Sequence, residues 1–151
     1  MQDAMTARVP AHLWLIGGLA TLWNAFGCYD YLMTRMRNTD YLAGMMPGVD
    51  PSAMLAWVDA FPIYAQIGWA LGVWCGLAGG IALLLRHRFA VPAFALSLLG
   101  SVMGLGYQIV EAPALAGAEG AMFTVMPYVI ILVAVGLLLY ARMAKAKGLL
   151  R

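Results

Sequence analysis

Asp30 sits in the run Trp23-Asn24-Ala25-Phe26-Gly27-Cys28-Tyr29-Asp30-Tyr31, a carboxylate among apolar and aromatic residues. Such a group is costly in a hydrocarbon layer, so it must face a partner, a ligand or water. The chemistry within reach is ion pairing, proton exchange or solute contact; a carboxylate without a nucleophile or metal beside it makes no hydrolase. On a helix Asp30 shares a face with Thr34 and approximately with Arg37, with Trp23 and Gly27 on the same stripe. Three roles fit: a local ion pair with Arg37 or Arg35, a substrate or proton site, and a contact with another subunit.

Other polar side chains fall at similar depth in the later apolar runs: Tyr64 and Gln66, then Tyr107, Gln108 and Glu111, then Thr124 and Tyr128. Asn24, Tyr29, Asp30, Tyr31, Arg37, Gln66, Tyr107, Gln108, Glu111 and Tyr128 are therefore the candidate polar pocket or partner contact, placed in the outer half of the molecule. The competing expectation is that they bond between helices or sit at the interface, where tyrosine is enriched.

Other chemistry finds little support. The sequence has no H-E-x-x-H, no G-x-S-x-G, no phosphate-binding glycine loop and no carboxylate cluster suited to a metal, so neither catalysis nor a metal is expected. Cys28 and Cys75 are the only cysteines, lie at different depths and form no C-x-x-C. A disulfide, or thiol oxidation feeding a quinone, is not expected. His12 and His87 lie at comparable depth, as haem ligands on neighbouring helices would. Both fall at the headgroup boundary, however, His87 between Arg86 and Arg88, so they read as interfacial histidines. No cofactor is expected; bound lipid is compatible with the chain.

The elements that must position these groups follow from composition: 64% of residues are hydrophobic and 11% charged, and the mean hydropathy is +0.83. A soluble domain is more polar. Apolar stretches at residues 12–34, 62–85, 89–110 and 121–141 each approach the roughly 20 residues that cross a bilayer. The expected fold is an all-α membrane protein, a single domain over residues 1–151 with four transmembrane helices. An apolar run as long as the first is read as a retained anchor rather than a signal sequence. Of the nine basic residues, all but Arg35 and Arg37 fall on one side of this arrangement, beginning with Arg8, which puts both termini in the cytoplasm. That topology accounts for the net charge of +2, and no nucleic-acid partner is expected.

Between the first two spans, Asp50-Pro51 is a helix start, and Met54, Trp57, Val58 and Phe61 recur at helical spacing. A short amphipathic helix over residues 51–61, lying on the outer membrane surface, is expected. Gly68, Gly72, Gly76 and Gly80, and again Gly100 and Gly104, recur every four residues and predict close helix packing, within one chain or between subunits. No internal repeat of the inverted-transporter kind is evident.

The stretches H-L-W-L-I-G-G from His12, W-N-A-F-G-C-Y-D-Y-L-M-T from Trp23 and R-N-T-D-Y from Arg37 carry a resemblance that spans most of the chain. With Arg86, His87 and Arg88 before Ala90-Val91-Pro92, and the ending Leu137-Leu138-Leu139-Tyr140-Ala141-Arg142, the chain resembles a family of small four-span bacterial inner-membrane proteins often labelled sugar transporters. The resemblance implies the bacterial inner membrane but transfers no functional residue. Trp23, Trp69 and the tyrosines can stack on a sugar, yet Asn24, Gln66 and Gln108 are a thin polar set. The leading expectation is a non-catalytic accessory subunit packing on a larger membrane complex. The alternative is a small oligomeric transporter or solute-binding protein with an outward-facing polar pocket around Asp30.

Overall fold

The computed structural model describes residues 9–111 and 113–151; Arg8 lies outside them. The chain is 77% helix, with no strand among the described residues. In order, the helices are α1 (Ala11–Arg35), α2 (Thr39–Met45), α3 (Pro51–Asp59), α4 (Ile63–Leu84), α5 (Ala90–Val110), α6 (Ala121–Thr124) and α7 (Met126–Ala146). Three of them, α4, α5 and α7, are long and apolar enough to cross a membrane. At 25 residues α1 is longer still, but His12, Asn24, Asp30 and Arg35 dilute its apolar character.

Local chemistry sets the ends. Asp50 caps α3 by accepting from Ser52 N and Ala53 N, with Pro51 in the first turn. Both α1 and α4 stop in turns whose left-handed residue is an arginine: Arg37 at φ 59° and Arg86 at φ 58°. Asn38 N donates to Met33 O and His87 N to Ala82 O, which satisfies carbonyls the last helical turn leaves open. Glycine is the favoured residue there, and a side chain costs about 1 kcal/mol. The third such turn, after α7, does use glycine, Gly148 at φ 70°.

The last long helix differs from expectation. It begins at Met126 rather than near residue 121, and it ends at Ala146. Pro127 is the cause: it has no N–H for the carbonyl of Phe123, and its ring crowds that carbonyl. The segment therefore breaks at Val125 into the short α6 and the long α7.

α4 is the central helix, packed against α5 on one side and α1 on another, while α7 packs on α5. Between helices that cross a membrane such packing rests on close contact rather than on expulsion of water. A methyl group on Gly68 would lie 2.8 Å from Gly100 O, and one on Gly100 would lie 2.5 Å from Gly72 N. Gly104 abuts the backbone of Trp69. Successive i+4 steps rotate by about 40° around a helix of 3.6 residues per turn. The ridge accordingly turns away from α5, so that Gly76 lies against the Asn24 side chain and Gly80 against Thr21 of α1.

The two ends of the bundle differ. At the end carrying the start of α1 and the C-terminal tail, Leu13, Ala20, Leu83, Phe94, Ala141, Ala144 and Leu150 form one core. There His12 Nδ1 and Tyr140 Oη lie 2.6 Å apart, joining α1 to α7. The tail folds back on the α4–α5 turn: Arg151 N donates to Arg86 O at 2.7 Å, and Arg88 N to Arg151 O at 2.8 Å. At the opposite, loop end, α3 and the turn after it seat Met54, Val58 and Phe61 on Ala65 of α4, with Trp57 and Phe123 packed alongside.

Candidate functional site

Toward the loop end α1 and α7 separate, leaving a cleft of about 250 Å³. Its walls are one face of α1 (Trp23, Phe26, Gly27, Asp30, Thr34) and one face of α7 (Ile130, Val133, Ala134, Leu137). The back is made by α4 and α5 through Gly72, Val73, Ser97, Ser101 and Gln108. Met45, Met46, Met54, Trp57 and Phe123 crowd its loop-end mouth, and Phe94 and Leu137 mark its inner end. The α1 wall follows from helical spacing, since positions 23, 26, 27, 30 and 34 fall on one stripe.

The lining is mostly apolar, and several of its polar atoms are already bonded. Asn24 Nδ2 donates to Ala20 O at 2.8 Å, and its side chain fits only because Gly76 has no Cβ. Ser97 Oγ donates to Gly72 O at 2.6 Å. Cys28, on the neighbouring face, donates to Val73 O at 3.3 Å, and both cysteines are free.

Asp30 is the one ionisable residue in the lining, and its protein partner is Tyr41 of α2, whose hydroxyl donates to Oδ1 at 2.9 Å. Burial, then the hydrogen bond to Asp30 and its negative charge, push the Tyr41 phenol above its ordinary value, so it stays protonated and donating. Its ring packs edge-on against Tyr29, with centroids 5.4 Å apart. α2 itself is positioned by Asn38, which accepts from Tyr41 N at 2.9 Å.

The ion pair expected between Asp30 and Arg37 or Arg35 does not form. Helical spacing would bring Arg37 over Asp30 only if α1 continued, but α1 ends at Arg35 and the left-handed turn at Arg37 swings its side chain toward α3. Arg37 instead meets Asp59 at 2.9 Å, with both side chains more than half exposed. Arg35 Nη1 donates to Gln66 Oε1 at 3.4 Å.

The structure thus divides the polar set read from the sequence. Asn24, Asp30 and Gln108 line the main cleft. Arg37 and Gln66 belong to a separate polar recess with Thr34, Arg35 and Asp59. Tyr31 packs edge-on against Trp69 and Trp74, and Tyr107 against Phe61 and Tyr64. Tyr29 and Tyr128 are exposed, as is Glu111, the cap of α5. The histidines have local partners: His12 meets Tyr140, and His87 Nδ1 accepts from Phe89 N at 3.1 Å. Among the described residues no group of three or more His, Cys, Asp or Glu is placed to hold a metal ion.

Sequence reasoning missed Tyr41 and the methionine-rich mouth. Tyr41 was approachable, because Asn38 followed by Thr39 and Asp40 is a helix-start pattern that would have placed a short helix over the end of α1. No family model, curated protein or solved structure matches this chain.

Proposed function

We propose that this chain is a non-catalytic membrane protein crossing the bilayer four times and binding a small, mainly apolar molecule in the cleft between α1 and α7. Treating α1 as the further span is supported by its lipid-suited stripe of Leu15, Leu19 and Leu22, all exposed at helical spacing and none of them lining the cleft. Its polar residues face inward, where Tyr41 and Ala20 O answer Asp30 and Asn24. Arg86, Arg88 and the basic tail cluster at the terminus end, which favours a cytoplasmic placement for both termini and an outward-facing cleft. In that arrangement α3 lies along the outer surface with Trp57 beside the mouth.

The cleft carries this reading. A partly open cavity with an apolar lining and a few placed polar groups is the usual form of a small-molecule site. The resemblance of its sequence to small four-span bacterial proteins labelled sugar transporters favours the bacterial inner membrane. The sparse hydrogen-bonding lining favours a less polar ligand than a sugar.

A second reading, an accessory subunit of a larger membrane assembly, is favoured by the parting of α1 from α7. Trp23 and Phe26 on one side and Ile130, Val133 and Leu137 on the other would suit a partner's helix. Mild extraction followed by native mass spectrometry separates the two. A small-molecule adduct on the wild-type chain, lost when Ile130→Trp and Val133→Trp together fill the cleft, supports the first reading. A larger membrane protein retained at fixed stoichiometry, with no small adduct, supports the second and overturns the first.

A further inference from the structure

Beyond its volume, the cleft has a charge signature. Asp30 is its sole ionisable lining residue, and no described arginine, lysine or histidine pairs with it. Tyr41 engages Oδ1 alone. Asp30 is half-buried, and a carboxylate held partly out of water is ordinarily met by an opposite charge or several hydrogen bonds. The protein supplies one hydrogen bond and no positive charge to this carboxylate.

The surroundings suit a particular counter-charge. Trp23, Trp57 and Trp69 line the cavity together with four phenylalanines. Phe26 lies one turn from Asp30 on the same face of α1, about 6 Å along the axis, and Trp23 lies about 10 Å away. Aromatic faces attract cations through their quadrupole, most strongly where water is excluded. The methionines at the mouth add flexible, polarisable surface that adapts to different shapes. An anionic ligand would meet only the repulsion of Asp30. A bare metal ion needs several oxygen or nitrogen donors, whereas Asp30 offers one carboxylate.

We propose that the cleft ligand is a hydrophobic organic cation, its positive group held by Asp30 and its apolar body by the tryptophan and phenylalanine walls. This rests on the small-molecule reading above and names the ligand class. The volume of about 250 Å³ suits a molecule with one charged end and a body of one to three rings.

The test uses the full chain in nanodiscs of zwitterionic phosphatidylcholine, with proflavine, a planar aromatic cation, followed by fluorescence anisotropy against empty discs. Two competitors of the same shape, benzyltrimethylammonium and uncharged neopentylbenzene, isolate the charge. Binding should saturate, and the cation should displace the dye at least about tenfold more effectively than its carbon isostere. Asp30→Asn should weaken proflavine binding by about tenfold or more, Asp30→Glu should restore most of it, and Asp59→Asn should leave it unchanged. Equal displacement by the two competitors overturns the proposal, and needs no variant to fold. Dye binding that survives in Asp30→Asn but is lost when Ile130→Trp and Val133→Trp fill the cleft overturns the cation assignment and leaves the small-molecule reading standing. No saturable dye binding to the folded wild type also overturns the assignment, and native mass spectrometry then judges the cleft on its own.

Discussion

Tyr41→Phe isolates the hydrogen bond that holds the Asp30 carboxylate. The substitution removes one oxygen and leaves the ring, so the edge-on contact with Tyr29 at 5.4 Å survives. What is lost is the 2.9 Å bond to Oδ1. Hydrogen bonds to charged groups contribute about 1.5–3 kcal/mol in folded proteins, whereas side-chain bonds measured between membrane helices average only about 0.6 kcal/mol. Tyr41 lies on α2, beyond the end of α1, and bonds a carboxylate held in a mostly apolar cleft, so a value of about 1.5 kcal/mol is expected. That corresponds to a little over tenfold in the folding equilibrium. The assay is reversible unfolding by sodium dodecyl sulfate in mixed micelles, run as a double-mutant cycle with Asp30→Ala, which removes the acceptor. A coupling of about 1 kcal/mol is expected between the two positions. A coupling near zero would refute the claim that Tyr41 is the group that answers Asp30.

Gly100→Ala should destabilise the same protein by about 1–3 kcal/mol, because the new methyl would lie 2.5 Å from Gly72 N. Gly136→Ala, where nothing lies within 4 Å, should be neutral or stabilising by up to about 1 kcal/mol through helix propensity; equal losses at both sites would contradict the packing described. Arg37→Ala should change stability by less than about 1 kcal/mol, since its pair with Asp59 is exposed and screened. A larger loss in the same titration would show that this ion pair supports the loop end. Leu150→Ala should cost about 2 kcal/mol, because the side chain is 7% exposed within the terminus-end core; hydrogen exchange should then rise first in the tail and the α4–α5 turn.

Much of the helical framework was legible because it rests on local rules. Asp50-Pro51 announced α3, and the edges of the apolar stretches located α1, α4 and α5 to within a residue or two. The glycine ridge predicted close packing, but spacing alone does not show that it turns from α5 to α1, which follows from its rotation along α4. The start of the last helix was misplaced because an apolar count does not register the break that Pro127 forces five residues later.

The site was legible only in part, for a related reason. Asn24, Asp30 and Gln108 were found because a polar residue in an apolar run is visible one residue at a time. Their grouping was not. The pairing of Asp30 with Arg37 assumed that helical spacing held past residue 35, where a left-handed turn sends Arg37 to Asp59. Tyr41 belongs to Asp30 through the chain reversal that follows, and the methionines gather at the mouth from α2, α3 and the approach to α7. Such groupings are tertiary and leave no periodic trace in the sequence.

Cysteine accessibility tests the proposed outward opening of the cleft most directly. With Cys28 and Cys75 replaced by serine, single cysteines at Gln108, Ile130, Leu132 and Leu139 would be exposed in intact cells to a membrane-impermeant methanethiosulfonate added outside. Gln108→Cys and Ile130→Cys, which line the cleft, should react. Leu132→Cys, on the exposed surface of the same helix, and Leu139→Cys, nearer the end of α7 that packs with the C-terminal tail, should not, because in the proposed arrangement both would face lipid. Equal labelling of Ile130→Cys and Leu132→Cys, or labelling of the cleft positions only after the cytoplasmic side is opened, would contradict an outward-facing site between α1 and α7.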